Sequence, residues 1–244
     1  MKQTIVLACV LALAIACQPA SAQFNFTDDF EAGLGAWTQG PSAFDLSTAQ
    51  NIIPAGGQYS AAIDSSADKM WHNLGWESGQ FRFTFYLYDD TATRNFGEVR
   101  GYSGAGYNDG TLQQLYAIGK YNNVTLPGET YNGTKYQGRF LYPSGGWFNL
   151  DGAGTPGRST GWHKFDILLT GSNTVNFYVD DVLSRSFSGM AAATMDSIAF
   201  GLGSGTTAGA SYIDGVMFVP EPGGLLALGA GLASMAGLIR RRKA

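Results

Sequence analysis

Residues 81–88 of this chain read FRFTFYLY, with an apolar side chain at every odd position. Successive side chains of a β-strand point to opposite faces, so this period of two predicts a strand with one buried face. Residues 162–169 read WHKFDILL and repeat the alternation, with Phe165, Ile167 and Leu169 on one side. These two strands indicate an all-β protein in which a sheet buries one of its faces.

Turns and further strands continue the pattern. Gly171-Ser172-Asn173 is a turn sequence, residues 175–179 read VNFYV, and Asp180-Asp181 then leads into residues 183–187. This order predicts consecutive hairpins. The other predicted strands are Ala61–Asp64, Met70–Leu74, Gly97–Tyr102, Leu112–Lys120, Gln137–Tyr142, Ser197–Leu202 and Ser211–Val219. Many short strands in a chain with 34 glycines predict a two-sheet antiparallel β-sandwich.

The first 22 residues have the pattern of a secretory signal peptide. Lys2 supplies a positive charge, Ile5–Ala16 is the apolar segment, and Ala20-Ser21-Ala22 is a small-residue cleavage site. Cys17 leaves a lipoprotein-type cleavage as the alternative. Both cysteines, Cys9 and Cys17, lie in this leader, so cleavage after Ala22 predicts an exported protein without disulfides or thiol chemistry.

The last 25 residues combine three elements in a fixed order. Pro220-Glu221-Pro222 comes first, a nearly charge-free stretch runs from Gly223 to Ile239, and Arg240, Arg241, Arg242 and Lys243 follow. The prolines keep their segment extended, and the basic cluster is expected to stay in the cytoplasm while the apolar stretch forms a membrane helix. An ordinary tail anchor or an amphipathic terminal helix is the alternative.

This tail resembles the PEP-CTERM sorting signal of exopolysaccharide-producing Gram-negative bacteria. The resemblance implies that an exosortase-type protease cuts the chain near Pro220–Pro222, after signal peptidase has removed the leader. The protein is then expected to be anchored only transiently in the inner membrane and to reach the cell surface or the extracellular space. The predicted organisation is a signal peptide at 1–22, a jelly-roll domain at 23–219 and a sorting signal at 220–244.

The segment from Gln23 to Val219 is acidic. It holds 18 Asp and Glu residues against 10 Lys and Arg residues, a net charge of −8, because Lys2, Glu221 and the terminal basic cluster lie outside it. Nucleic acids are bound by clustered cations, so this composition argues against a nucleic-acid partner.

Three segments in the last third of this domain carry a second resemblance. Residues 162–167 read WHKFDI, residues 177–181 read FYVDD, and residues 212–216 read YIDGV. They are similar to the Trp-His strand, the Tyr-Val-Asp-Gly hairpin and the Ile-Asp-x-Val strand of the concanavalin A-like jelly roll, in its laminin-G-like branch. Asp181 departs from the family, which has Gly there, but Asp tolerates a left-handed turn. The resemblance implies the fold and leaves the ligand open, because lectins, hydrolases, lyases and structural domains share it.

The sequence predicts no catalytic site. Hydrolases of this fold carry Glu-x-Asp-x-x-Glu, which places two carboxylates beside the glycosidic bond, and this chain has no such triplet. It also lacks a Gly-x-Ser-x-Gly elbow. His163 lies on an apolar strand face and is interpreted as a half-buried structural residue. A glycan-active hydrolase or lyase with an unrecognised site is the alternative to a protein that is not an enzyme.

Acids near both ends of the domain form a candidate calcium site. Asp28, Asp29 and Glu31 begin the domain, and Asp214 lies in its last strand. The first and last strands of jelly rolls commonly lie side by side, so these residues are expected to approach one another. Their oxygens are the ligands that a structural Ca²⁺ prefers. Turn and strand-end acids without a metal are the alternative.

Aromatic and amide side chains concentrate between Tyr102 and Trp147. The candidate glycan-binding residues are Tyr107, Tyr121, Tyr131 and Trp147, because flat rings stack on sugar faces and neighbouring amides bond their hydroxyl groups. Ordinary strand tyrosines are the alternative. The predicted function is that of a surface-sorted, non-catalytic protein that contacts extracellular polysaccharide or forms part of the envelope or biofilm matrix. A purely structural or adhesive envelope protein is a further alternative.

Overall fold

The strands of the domain are seen in a computed structural model, which describes residues 26–52, 57–65, 67–90, 94–104, 106–141, 144–171, 173–190, 194–201 and 211–220. The predicted leader at 1–22, the acid–proline pair Glu221-Pro222, the apolar stretch 223–239 and the basic cluster 240–243 lie outside these residues. The described part of the chain contains no helix with the length and apolar character of a membrane span.

Fifteen β-strands form in the described residues. In chain order they are β1 Phe26–Asp28, β2 Thr38–Gln39, β3 Asp45–Ser47, β4 Ser60–Ile63, β5 Met70–Ser78, β6 Phe81–Asp89, β7 Asn95–Tyr102, β8 Leu112–Lys120, β9 Gln137–Leu141, β10 Gly145–Asn149, β11 Gly161–Leu169, β12 Val175–Val179, β13 Val182–Phe187, β14 Thr194–Phe200 and β15 Ser211–Pro220.

The strands pair into two antiparallel sheets. Sheet A has the order β13-β12-β11-β6-β15-β4-β3, and β1 also pairs with β15. Sheet B has the order β10-β9-β8-β7-β14-β5-β2. Side chains of both sheets meet in one apolar core. This architecture confirms the predicted all-β, two-sheet antiparallel jelly-roll sandwich.

The two alternating stretches of the sequence lie side by side at the centre of sheet A. Phe85 of β6 faces Phe165 of β11 in the antiparallel register, and Phe83 faces Ile167. The apolar set of each strand is buried in the core, as the period of two predicted. Cross-strand pairs of this kind are the unit by which a sheet is stabilised.

Phe85 also joins the two sheets. Its ring stacks on Phe165 at 5.5 Å and meets Phe200 of sheet B edge-on at 5.1 Å. Gly97 of β7 lies under both rings, and a Cβ atom there would stand 2.5 Å from Phe85 and 2.8 Å from Phe200. The missing side chain at Gly97 is therefore what lets these rings pack between the sheets.

The ends of the domain meet as expected. β1 pairs with β15, with Phe26 opposite Phe218, so the first and last strands are neighbours. β15 continues to Pro220, which is buried and lies opposite Phe81. The sandwich therefore extends one residue beyond the predicted boundary at Val219.

The β12–β13 hairpin turns without a glycine. Asp180 and Asp181 both adopt left-handed backbone conformations, with φ of 49° and 64°. Asp tolerates this region better than most residues, which confirms the prediction made for Asp181.

Buried charges link the sheets at one end of the sandwich. Lys120 is the last residue of β8 in sheet B, and its side chain is fully buried. Its Nζ lies 3.3 Å from Asp89, the last residue of β6 in sheet A, and 3.0 Å from Asp90, which follows β6. The guanidinium of Arg158 contacts the same Asp89 carboxylate at 3.1 Å. Buried ions are tolerated only when they are paired in this way.

We expect Phe85→Ala to lower the free energy of unfolding by about 3–5 kcal/mol, because it removes a large ring from a closely packed core and leaves a cavity. Chemical denaturation with a circular dichroism readout measures this change. The matched control is Leu183→Ala, since Leu183 is 46% exposed and its truncation should cost no more than about 0.5 kcal/mol. Equal losses in the two variants would contradict the central position of Phe85.

Candidate functional site

One row of side chains crosses the face of sheet B that is turned away from the core. Residues directly opposite one another in antiparallel strands point to the same side of a sheet. The row reads, from β10 to β5, Trp147, Arg139, Ala117, Glu98, Ala199 and Trp71. Five strand-to-strand steps at about 4.8 Å each place the two tryptophans about 24 Å apart. We call this set the sheet B row.

The centre of the row is a buried ion pair. Glu98 is 1% exposed, and Arg100 donates to its Oε2 atom from Nε at 2.8 Å and from Nη2 at 2.6 Å. Nη1 of Arg100 donates to the hydroxyl of Tyr102 at 2.8 Å. Burial raises the pKa of Glu98, and the charges of Arg100 and Arg139 offset part of that rise. A charged, hydrogen-bonded centre thus lies between two aromatic ends.

The β5 end of the row carries a ring pair. Tyr107, from the loop after β7, lies over Trp71 with ring centroids 4.6 Å apart and planes 30° apart. The backbone N–H of Tyr107 donates to Oδ1 of Asn73 at 3.0 Å, which fixes the loop to β5. Arg100 lies 5.7 Å from the centre of the Tyr107 ring. Trp71 and Tyr107 are both half-buried, so this end presents aromatic surface beside the exposed amide of Asn73.

The β10 end carries a second ring pair. Tyr121 stacks on Trp147 with centroids 3.9 Å apart and planes 9° apart. Phe96 meets Trp147 edge-on at 4.9 Å, and Arg139 lies 5.6 Å from the centre of the Trp147 ring. Trp147 is only 4% exposed. Its ring therefore supports Tyr121, rather than forming the exposed platform that the sequence predicted.

The predicted glycan-binding residues do not form one cluster. Tyr107 lies at one end of the sheet B row, and Tyr121 and Trp147 lie at the other. Tyr131 is on the loop between β8 and β9 and is 38% exposed. Two further tyrosines of the aromatic segment, Tyr116 and Tyr136, are buried in the core.

Sequence reasoning missed Trp71 and the charged centre. The available signal was the alternation in β7, where Phe96, Glu98, Arg100 and Tyr102 occupy the even positions. That pattern indicates that the second face of β7 also carries large side chains. The sequence around Trp71 does not indicate that this residue belongs to the row, because only the pairing of β5 with β14 places it there.

The acids predicted to bind calcium each bond to nearby N–H groups. Asp28 accepts from the backbone of Phe30 at 2.8 Å and from the indole of Trp37 at 2.6 Å. Oε1 of Glu31 accepts from two backbone N–H groups, those of Gln58 and Tyr59. These bonds give Asp28 and Glu31 structural roles that need no metal.

Asp214 and Asp29 lie at the same edge of sheet A. Asp214 accepts from the backbone of Ile52 at 3.1 Å and of Gly215 at 2.7 Å, and burial raises its pKa, as do the charges of Asp29 and Glu31. A depression of about 280 Å³ lies between β1 and β15 and is lined by Thr27, Asp28, Asp29, Gly215, Val216 and Met217. Among the described residues, no three His, Cys, Asp or Glu side chains are grouped to hold a metal ion. Calcium at these acids stays a prediction.

His163 is bonded through both ring nitrogens. Nδ1 lies 2.7 Å from Oδ2 of Asp180, and Nε2 lies 3.0 Å from both the hydroxyl and the carbonyl oxygen of Ser159. Burial lowers the pKa of His163, but the Asp180 carboxylate and the Ser159 carbonyl outweigh burial, so the pKa is raised. The matching pKa of Asp180 is lowered by the hydrogen bond from His163, against the effect of burial.

Serine, histidine and aspartate in this order are also the groups of a nucleophilic triad. When Nε2 carries a proton, however, it donates to the Ser159 carbonyl oxygen at 3.0 Å and cannot take the hydroxyl proton of Ser159. The arrangement therefore favours the structural interpretation of His163. It fastens the start of β11 to the turn of the β12–β13 hairpin.

Comparison with known proteins identifies the fold. No family model and no curated protein sequence matches the chain. The globular domain of T. cruzi calreticulin is similar in structure, with a TM-score of 0.53 at 8% identity, over 89% of this chain and 98% of that chain. A conserved carbohydrate esterase from the Shiga toxin-encoding bacteriophage phi24B reaches 0.50 at 13% identity, over 81% and 98%. The carbohydrate recognition domain of Emp47p reaches 0.50 at 9% identity, over 82% and 96%. At these identities the likeness shows a shared fold, the concanavalin A-like jelly roll.

We expect the coupling between His163 and Asp180 to depend on pH. A raised histidine pKa contributes stability that is complete below the unfolded value of about 6.5 and is lost as the pH rises through the folded value. A lowered aspartate pKa contributes stability above about pH 3.9 that is lost on acidification through its folded value. The coupling should therefore be largest between about pH 4 and 6.5, at about 1 kcal/mol given the partial exposure of Asp180.

A double-mutant cycle of His163→Gln and Asp180→Asn, followed by denaturation at about pH 5.5 and about pH 9, measures this coupling. The control cycle uses Lys164 and Asp181, whose Nζ and Oδ1 lie 2.6 Å apart, because this pair contains no histidine. A His163–Asp180 coupling that is unchanged at about pH 9 would contradict the charged pair.

Proposed function

We propose that this protein is an exported, surface-sorted and non-catalytic β-sandwich that binds extracellular polysaccharide on the outer face of sheet B. The observation that carries the proposal is the sheet B row, which places aromatic surface at both ends of a polar centre on the face opposite the core. Surfaces of this composition suit sugars, which have apolar ring faces and polar edges.

The length of the row favours a polymer. The two ring pairs are separated by about 24 Å, which is five strand spacings. A single sugar cannot contact both pairs, whereas a chain lying across the strands can. The printed names of two proteins with the same fold, a carbohydrate recognition domain and a carbohydrate esterase, support carbohydrate as the ligand class.

The charged centre supports binding without hydrolysis. Glycosidases use two carboxylates, about 5 Å apart in retaining enzymes and farther apart in inverting ones. The sheet B row holds one carboxylate, Glu98, and Arg100 occupies its Oε2 atom with two donors. A glycan-active enzyme is the second candidate, because a buried carboxyl with a raised pKa is also what a general acid needs.

The end of the folded domain is compatible with the proposed sorting. Pro220 is the last residue of β15 and is buried in sheet A, so the PEP motif begins where the sandwich ends. An exosortase-type protease acting there would release the intact domain. A structural or adhesive role in the envelope, without a sugar ligand, would use the same sorting route.

We expect Trp71→Ala and Tyr107→Ala to weaken polysaccharide binding by about 0.5–1.5 kcal/mol each, which is about 2- to 12-fold in Kd, because each removes a stacking ring. A glycan array with and without Ca²⁺ selects the polymer, and titration calorimetry measures the Kd. Tyr212→Ala is the matched control, since Tyr212 is a half-buried ring in β15 of sheet A. Equal loss in all three variants would remove sheet B as the binding face, and release of sugars from any β-glucan would overturn the non-catalytic part.

We expect the mature protein to lack the residues that follow the PEP motif. The apolar stretch of about 17 residues is at the short limit for a stable span, which suits a transient signal. Intact mass spectrometry of protein from the native host locates both ends of the mature chain. A mature form that still carries Arg240–Lys243 would contradict sorting and indicate a tail anchor.

A further inference from the structure

We infer that the polysaccharide bound by sheet B is acidic, and that Arg139 pairs with a carboxylate on its sugars. This inference rests on the proposed function and adds the chemical class of the ligand. It starts from the arginines of the domain and from the partners that the fold provides for them.

Most of these arginines have a carboxylate partner within the protein. The pairs are Arg82 with Asp166 at 2.9 Å, Arg100 with Glu98 at 2.6 Å, Arg158 with Asp89 at 3.1 Å and Arg185 with Glu129 at 2.7 Å. Arg139 has no carboxylate within 4.0 Å in the described part of the chain, although the domain has a net charge of −8. A cation without a close carboxylate in so acidic a protein calls for an explanation.

The position of Arg139 on sheet B supplies an explanation for the missing carboxylate. It lies in the sheet B row between Trp147 and Ala117, with its guanidinium 5.6 Å from the centre of the Trp147 ring. Its Nε atom is buried and has no hydrogen-bond acceptor among the described residues. A buried donor without an acceptor costs about 1–3 kcal/mol, and no described residue offsets this cost at Arg139.

The nearby carboxylate of Glu98 does not fill this role. Two donors of Arg100 already bond to Oε2 of Glu98, at 2.8 and 2.6 Å. Glu98 and Arg100 therefore form the close ion pair, and Arg139 acts on Glu98 only from beyond 4.0 Å.

A carboxylate suits Arg139 better than a neutral sugar does. A hydroxyl group can accept one hydrogen bond from the guanidinium, but it leaves the positive charge desolvated under the ligand, which is costly. A carboxylate accepts two parallel N–H bonds in a planar fork and also neutralises the charge. The sugar chain next to the Tyr121–Trp147 pair is then one that contains uronic acid units.

The test compares acidic polymers with their neutral counterparts on the full-length chain. Alginate and polygalacturonate are each titrated beside their methyl esters, which keep the backbone and lose the charge. We expect at least one acidic polymer to bind about 10-fold or more tightly than its ester, and added salt to weaken only the acidic polymer. Arg139→Gln should abolish this preference, and Arg139→Lys, which keeps the charge and loses the fork, should retain part of it.

Lys164→Gln is the matched control, since it removes one positive charge from β11 of sheet A and should leave the preference unchanged. Thermal melts verify that each variant is folded, and if Arg139→Gln is not, Arg139→Lys and the wild-type comparison decide. Equal binding of acid and ester, or binding of neutral glycans alone, would overturn the acidic ligand while the proposed function stands. Binding of no glycan at all, on the array or in these titrations, would overturn the proposed function itself.

Discussion

The packing of aromatic rings between the two sheets is the interaction on which the rest of this structure depends. Phe85 contacts Phe165 in its own sheet and Phe200 in the other, and Gly97 provides the room for both contacts. Once the odd-numbered side chains of β7 are committed to this core, Glu98 and Arg100 must point to the opposite face, because side chains in a strand alternate. The polar centre of sheet B is thus a consequence of how the core is filled.

A second feature of the fold is that several of its buried charges are paired with one another. Lys120, Asp89 and Arg158 satisfy one another inside the sandwich, and Glu98 and Arg100 do the same on sheet B. A buried ion that loses its partner is strongly destabilising, so such pairs make poor ligands for other molecules. The proposed binding therefore relies on the half-buried rings, the exposed amide of Asn73 and the guanidinium of Arg139.

The fold alone does not distinguish a binding protein from an enzyme. The same jelly roll occurs in a calreticulin domain, a carbohydrate recognition domain and a carbohydrate esterase, so architecture alone leaves the activity open. The geometry of sheet B is more selective: one carboxylate, held by an arginine, lies between two aromatic pairs. This arrangement is the basis of the proposal that the protein binds a polysaccharide without cleaving it.

The resemblance to the jelly-roll family implied that β1 pairs with β15. The sequence by itself determined the fold class and the alternation of β6 and β11. These follow from local periodicity and turn chemistry, which a strand carries whatever its neighbours are. The leader and the sorting tail stay predictions from the sequence alone. The short strands β2, β3 and β10 could not be predicted from the sequence, because pairing with neighbours defines them.

Only the tertiary structure decided that Trp71 and Trp147 share one row, that Trp147 is buried, and that Arg139 lacks a carboxylate among the described residues. The pairing of β14 with β5 and β7 joins segments that are distant in the chain, so the local pattern of one strand does not show which residues of another lie beside it.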